Sequence, residues 1–300
     1  MPTRLILTGG FLGAGKTTLL LAAARRLAAR GQRVAIITND QGHSLVDTSL
    51  ATHAAIPVVE VAGGCFCCRF PDLTQALRQL ERTVAPEIVL AEPVGSCTDL
   101  MATVLRPLMA YHADEYQLAP LTVLFDPTRT LDGYADEVNY LFGKQLAEAE
   151  TIVVNKADLV EESRCATLIH ELSQRYAPVQ VMPLSAQSGE GVEQWLEAML
   201  GQTSGFAKTL TLDYDQYAEA EARLGWLNAQ GALRCQQRFA VKHWLTHFLR
   251  LLDSALSTQN ARIAHIKVQA TTPTARLKAS LTASGGEIGW EGEPSAEETD

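Results

Sequence analysis

Gly10-Phe11-Leu12-Gly13-Ala14-Gly15-Lys16-Thr17 is a complete G-x-x-x-x-G-K-[ST] sequence. An apolar run of strand type, Leu5-Ile6-Leu7-Thr8, precedes it, and residues 17–27 follow with an apolar face at helical spacing. Strand, glycine loop and helix in this order are the context that gives the motif its meaning. The glycines let backbone N–H groups curl around phosphate oxygens, and the helix N-terminus adds positive potential. Phosphate contacts are expected from Gly10, Gly13, Ala14, Gly15 and Thr18. Lys16 would reach the β- and γ-phosphates, and the Thr17 hydroxyl would ligate Mg²⁺.

Further strands carry polar residues to the same sheet edge. Residues 33–38 read as a strand ending in Asn39-Asp40-Gln41-Gly42-His43. Asp40 is the candidate outer-shell Mg²⁺ partner or water-orienting group, although Asp also suits a simple capping or turn role. A strand at 87–91 runs into Glu92-Pro93-Val94-Gly95, which places Glu92 at the Walker B position. Gly95 would let a main-chain N–H approach the γ-phosphate. Lys16, Asp40 and Glu92 are the candidate catalytic groups.

Base choice is read from Asn155-Lys156-Ala157-Asp158, after a strand at 152–154. The Asp158 carboxylate matches the adjacent N1–H and N2 amine of guanine, whereas adenine would leave it unpaired, at a cost of about 1–3 kcal/mol. The Lys156 stem would lie over the base and Asn155 would bridge loops. A last strand at 179–184 leads into Ser185-Ala186, expected to offer the guanine carbonyl a backbone N–H. The nucleotide is read as GTP.

A strand at 57–61 delivers the chain into Gly63-Gly64-Cys65-Phe66-Cys67-Cys68, ahead of a helix at 72–84 with Leu73, Ala76, Leu77 and Leu80 on one face. As thiolates, Cys65, Cys67 and Cys68 form a compact soft donor set for a transition metal, with zinc or copper(I) favoured. A structural zinc knuckle needs a second ligand pair further along, so three thiolates describe an open site. Water, a partner or His43 would supply the fourth ligand. Cys97, Cys165 and Cys235 fit the reading of buried fillers.

Together these residues resemble the CobW-type metallochaperone GTPases, relatives of the urease- and hydrogenase-maturation GTPases. The resemblance rests on Gly10 to Thr18, Gly64 to Cys68, Glu92 and Asn155 to Asp158, and covers about the first two-thirds of the chain. It implies a SIMIBI-class P-loop fold, slow Mg²⁺-dependent GTP hydrolysis and delivery of zinc or another transition metal. The recipient would be a client metalloprotein or a cofactor-biosynthesis enzyme. A nucleotide-dependent homodimer is a further expectation. Three features depart from the family pattern: Asp40-Gln41-Gly42-His43 where it has Glu-Phe-Gly-Glu, Pro93-Val94 where it has hydroxyl residues, and no His-rich segment.

Composition agrees with a globular protein with a real core: 47% hydrophobic and 20% charged residues in a chain of 300. The net charge of -9 argues against nucleic-acid or anionic-membrane partners, and no run approaches the ~20 apolar residues of a membrane span. No secretory leader is read at the start, and six cysteines, three of them clustered, suit a reducing, cytoplasmic setting. The expected architecture is a P-loop NTPase with a mostly parallel sheet flanked by helices, plus a smaller C-terminal α/β domain. The boundaries expected are 1–202, 203–290 and an acidic disordered tail at 291–300. Within the second part, helices are expected at 217–227 and 241–256, and strands at 233–241, 263–268 and 277–281. Two rival functions stay open: a GTP-regulated switch whose cysteines are structural or redox-sensing, and a small-molecule P-loop kinase.

Overall fold

The computed structural model describes residues 2–40, 56–129, 136–205, 210–234, 239–272 and 276–292, except the side chains of Asp40 and Ala62. The chain divides into two compact units, Met1–Trp226 and Leu227–Asp300.

Eight strands form the sheet of the first unit: β1 (Thr3–Gly10), β2 (Val34–Asp40), β3 (Val58–Ala62), β4 (Ile88–Glu92), β5 (Tyr116–Leu118), β6 (Thr122–Phe125), β7 (Thr151–Val154) and β8 (Gln180–Pro183). Their order is β3-β2-β4-β1-β6-β7-β8, with β5 also beside β1, and every pairing is parallel. Parallel strands joined by crossovers must be covered on both faces. This explains the unbroken burial of β4 and β7. It also puts the carboxyl end of every strand on one edge, where a doubly wound sheet binds its ligand. The short β5 was not foreseen; it pairs with the start of β1 and β6 with its end.

The helices of this unit are α1 (Lys16–Ala29), α2 (Phe70–Thr83), α3 (Arg106–His112), α4 (Asp136–Glu148), α5 (Glu162–Arg175), α6 (Val192–Gly201) and α7 (Tyr214–Ala222). A π-helical turn, Met101–Leu105, precedes α3. Along α1, Leu20, Ala23, Ala24 and Leu27 face the sheet. They share a core with Ile6, Ile36 and Leu90 of the strands and Trp195 of α6. In α2 the buried residues are Leu73, Ala76, Leu77 and Leu80, as the 3.6-residue period requires.

Helix α7 begins and ends earlier than the expected 217–227, and it packs against α4. Residues 203–226 therefore lie in the first unit rather than beyond a boundary at 202. The second unit holds α8 (Val241–Thr258) and an antiparallel sheet of β9 (Ile266–Thr271), β10 (Arg276–Leu281) and β11 (Gly289–Glu291), ordered β11-β10-β9. Leu245 and Leu249 pack on Leu277 and Ala279 to form its core. Residues 233 and 234, the start of the strand expected at 233–241, are irregular. Cys235 and most of the expected tail, 293–300, lie outside the described residues. Among the described residues no helix is long and apolar enough to cross a membrane.

Candidate nucleotide and metal site

The phosphate loop joins β1 to α1 on the carboxyl edge. Gly15 sits at φ 94°, and a Cβ there would stand 2.3 Å from Asn155 Nδ2. Only glycine lets these loops meet so closely. Asn155 Nδ2 donates to the Ala14 carbonyl at 2.7 Å, so the base loop and phosphate loop are tied directly. Lys16 Nζ donates to the Gly10 carbonyl at 2.8 Å, across the loop's own concavity. The Thr17 hydroxyl donates to both Glu92 carboxylate oxygens, at 2.9 and 3.0 Å. Thr17 and Glu92, expected from separate motifs, thus bring hard oxygen atoms together. Such a donor set suits Mg²⁺.

At the base end, Lys156 is left-handed at φ 60° and its ammonium pairs with buried Asp126 at 2.5 Å. Asp126 directly follows β6. Asp158 is exposed. The N–H groups of Ser185 and Ala186, expected near the guanine carbonyl, have partners within the protein. Ala186 N–H donates to Asn155 Oδ1 and Ser185 N–H to the Glu190 carbonyl, both at 2.9 Å. Both donors are engaged within the protein, and the loop's visible task is to orient Asn155.

Gly95 lies against the phosphate loop; a Cβ there would meet Leu12 Cδ2 at 2.7 Å and the Leu12 backbone nitrogen at 2.9 Å. The whole segment 91–100 is buried. A buried loop must satisfy its backbone internally. Gln145 of α4 donates to the Gly95 and Cys97 carbonyls, each at 2.9 Å. Glu148, one turn on, accepts from the Thr98 hydroxyl at 3.1 Å and the Met101 N–H at 3.2 Å. Burial pushes its carboxyl up to about 8, with Asp99 adding repulsion and the two hydrogen bonds opposing the rise.

The cysteine loop follows β3. Phe66 is fully buried and anchors it, Cys65 is buried, Cys67 half-buried and Cys68 exposed. Cys65 and Cys67 are joined as a disulfide. The expected set of three thiolates therefore belongs to the reduced chain. One candidate ligand atom from each of Cys65, Cys67 and Cys68 lies within 4.8 Å of the others. Cys97, expected to be filler, is buried with its sulfur 3.4 Å from Cys67 Sγ. Burial raises its thiol above the ordinary value, the Cys67 main chain opposing. Tyr217 of α7 shares these surroundings; burial and then Cys97 push its phenol up. Cys165 is buried on α5.

Asn39 is the residue the sequence did not single out. From the end of β2 its Nδ2 donates to the Val61 and Gly64 carbonyls at 2.8 and 2.7 Å. Its Oδ1 accepts from Phe66 N–H at 3.0 Å and from Val94 N–H at 3.4 Å. One side chain thereby joins the cysteine loop to the segment leading from Glu92 to Gly95. A strand ending in Asn beside a strand ending in Gly-Gly-Cys was the available signal. Asp40 ends β2, but its side chain, like the whole of His43, lies outside the described residues.

A nucleotide-binding-domain model described as CobW/HypB/UreG matches residues 4–182. The zinc chaperone CobW of Pseudomonas aeruginosa is 31% identical over 215 residues, covering 60% of this chain and 56% of that protein. The zinc chaperone YeiR of Escherichia coli is 32% identical over 165 residues, covering 52% and 47% respectively. The chain spans about half the length of the curated relatives it matches. Among solved structures, HypB from Helicobacter pylori in complex with nickel is similar at a TM-score of 0.49 and 15% identity, covering 66% of this chain and 86% of that one. With the phosphate loop, the Walker B pair and the cysteine loop all inside the matched residues, the chain belongs to the CobW/HypB/UreG nucleotide-binding family.

Proposed function

We propose that the protein is a GTP-hydrolysing metallochaperone that carries a transition metal, zinc first, on Cys65, Cys67 and Cys68 and passes it to a client protein or cofactor pathway. The observation that carries this reading is Asn39, which hydrogen-bonds both the cysteine loop and the segment behind Glu92. The zinc-chaperone names of the relatives support the choice of cargo.

The phosphates would lie on the main-chain N–H groups of Gly13 to Thr18, with Lys16 turning from the Gly10 carbonyl to the γ-phosphate. Thr17 and Glu92 would hold Mg²⁺, which draws charge from the β- and γ-phosphate oxygens. Asp158 would accept from guanine, with Lys156 beside the base. A γ-phosphate beside Gly95 would press on the Leu12 contact, and the shift would pass through Val94 and Asn39 to Gly64 and Phe66. Hydrolysis would then turn a holding state into a releasing one. Client delivery and a cytoplasmic setting are parts of this reading.

Changing Cys65, Cys67 and Cys68 together to Ser is expected to abolish stoichiometric zinc binding by the reduced protein while leaving GTP binding intact. Undiminished zinc affinity in that variant would sink the proposal. The Cys65–Cys67 disulfide favours a second reading, a GTP switch with redox-sensing cysteines. That reading expects the reduced and oxidised chains to differ in GTP hydrolysis with no metal present.

A further inference from the structure

The reduced cysteine loop offers three sulfurs, and a tetrahedral ion has a fourth corner to fill. With Zn–S bonds of about 2.3 Å, the edge of a tetrahedron of sulfurs is about 3.8 Å. The Cys65–Cys68 and Cys67–Cys68 sulfur separations are 3.5 and 3.7 Å, close to that edge. Cys97 Sγ lies 3.4 Å from Cys67 Sγ, while among the described residues only Cys65, Cys67 and Cys68 are all within 4.8 Å of one another, so Cys97 joins the set only when its segment closes on their loop. It comes from a different element, the buried segment behind β4, thirty positions further along the chain. Cys165, the other free buried cysteine among the described residues, lies on α5.

We infer that Cys97 is the fourth sulfur ligand, closing a tetrathiolate site for zinc with Cys65, Cys67 and Cys68 when the disulfide is reduced. The inference rests on the metal-carrying reading above and sharpens it. Cys97 stands two residues from Gly95, and Gln145 clamps the Gly95 and Cys97 carbonyls together. Any displacement of Gly95 by a γ-phosphate therefore moves the fourth ligand with it. Three ligands ride on the loop after β3, and the fourth rides on the nucleotide-sensing segment. The ion is held when the two loops are in register and falls to three ligands when they part. Opening the Cys65–Cys67 disulfide takes two electrons, which a phosphine reductant supplies in the assay as it becomes the phosphine oxide, and two protons, which come from the water whose oxygen the phosphine takes up. Binding of Zn²⁺ by four thiols then releases four protons to solvent.

The test is zinc K-edge X-ray absorption on the full reduced chain loaded with one equivalent of Zn²⁺, alongside chelator competition on Cys97→Ser, Cys97→Ala and Cys165→Ser. Four sulfurs around zinc are expected in the unaltered protein and three in both Cys97 variants. Zinc affinity should fall about tenfold or more in both, with no change for Cys165→Ser. Three sulfurs plus an oxygen or nitrogen in the unaltered protein would overturn the role of Cys97 and leave the three-thiolate carrier standing. Because the sulfur count is taken on the unaltered chain, a Cys97 variant that fails to fold does not blunt it. Absence of zinc binding by the unaltered reduced protein would overturn both.

Discussion

At the residue scale, Glu148 shows how a buried polar group gives the fold a measurable dependence on pH. Its carboxyl is raised by burial to about 8, well above the value of 4.5 in an exposed chain. Between those values the folded state holds a proton that the unfolded state has lost, so stability falls as pH rises. The contribution is complete below about pH 4.5 and is lost as pH passes through about 8. A melting temperature that declines from pH 5 to pH 8 is expected, with a flatter profile for Glu148→Gln. In that variant the amide oxygen would still accept from Met101 N–H, and the amide nitrogen would donate to Thr98. Equal slopes in the two proteins would show that Glu148 does not titrate as described. Legibility at this scale followed locality. Lys16, Thr17 and Glu92 announce themselves through neighbours in sequence; Thr17 and Glu92 are hydrogen-bonded to each other, and Lys16 to the Gly10 carbonyl. Asn39 and Cys97 meet partners 22–55 positions away, a proximity that exists only after β2, β3 and β4 have paired.

At the scale of elements, the carboxyl edge of the parallel sheet does the organising. Strand type and order of appearance were readable from apolar runs ending in polar residues, because a parallel strand buried on both faces leaves that imprint. The side-by-side order β3-β2-β4-β1 was not readable, and it is what sets the cysteine loop two strands from Glu92. Asn39, at the end of the strand between them, bridges the gap. Replacing it by Ala leaves the buried Phe66 N–H unsatisfied and frees Gly64 from its donor. A loss of about 2–3 kcal/mol in unfolding free energy is expected by urea denaturation. Nucleotide would still bind, since Asn39 touches none of the phosphate loop groups, but its influence on metal affinity should shrink. Undiminished coupling in Asn39→Ala would rule out this bridge as the route.

At the scale of the whole molecule, each of the two units has its own core. The boundary follows packing rather than composition. Gln202-Thr203-Ser204-Gly205 has the look of a linker, yet Ser204 and Gly205 hydrogen-bond Glu150, and α7 beyond them packs on α4. Tyr214 of α7 donates to Asp99 at 2.8 Å, on the segment that carries Gly95 and Cys97. Ending the chain after Trp226 should preserve a cooperative first unit, whereas ending it after Gln202 should lower its melting temperature by roughly 4–8 °C. Equal melting of the two fragments would place the structural boundary at 202 after all. With α7 in place, the first unit contains every group the proposed cycle uses, and the claim at its centre is energetic. If bound nucleotide alters the grip on zinc, bound zinc must alter the grip on nucleotide by the same factor. The most direct measurement is a pair of calorimetric titrations of the reduced chain: zinc with and without a non-hydrolysable GTP analogue, and the analogue with and without zinc. Equal shifts of about fivefold or more in both affinities are predicted; two affinities each indifferent to the other ligand would contradict the account.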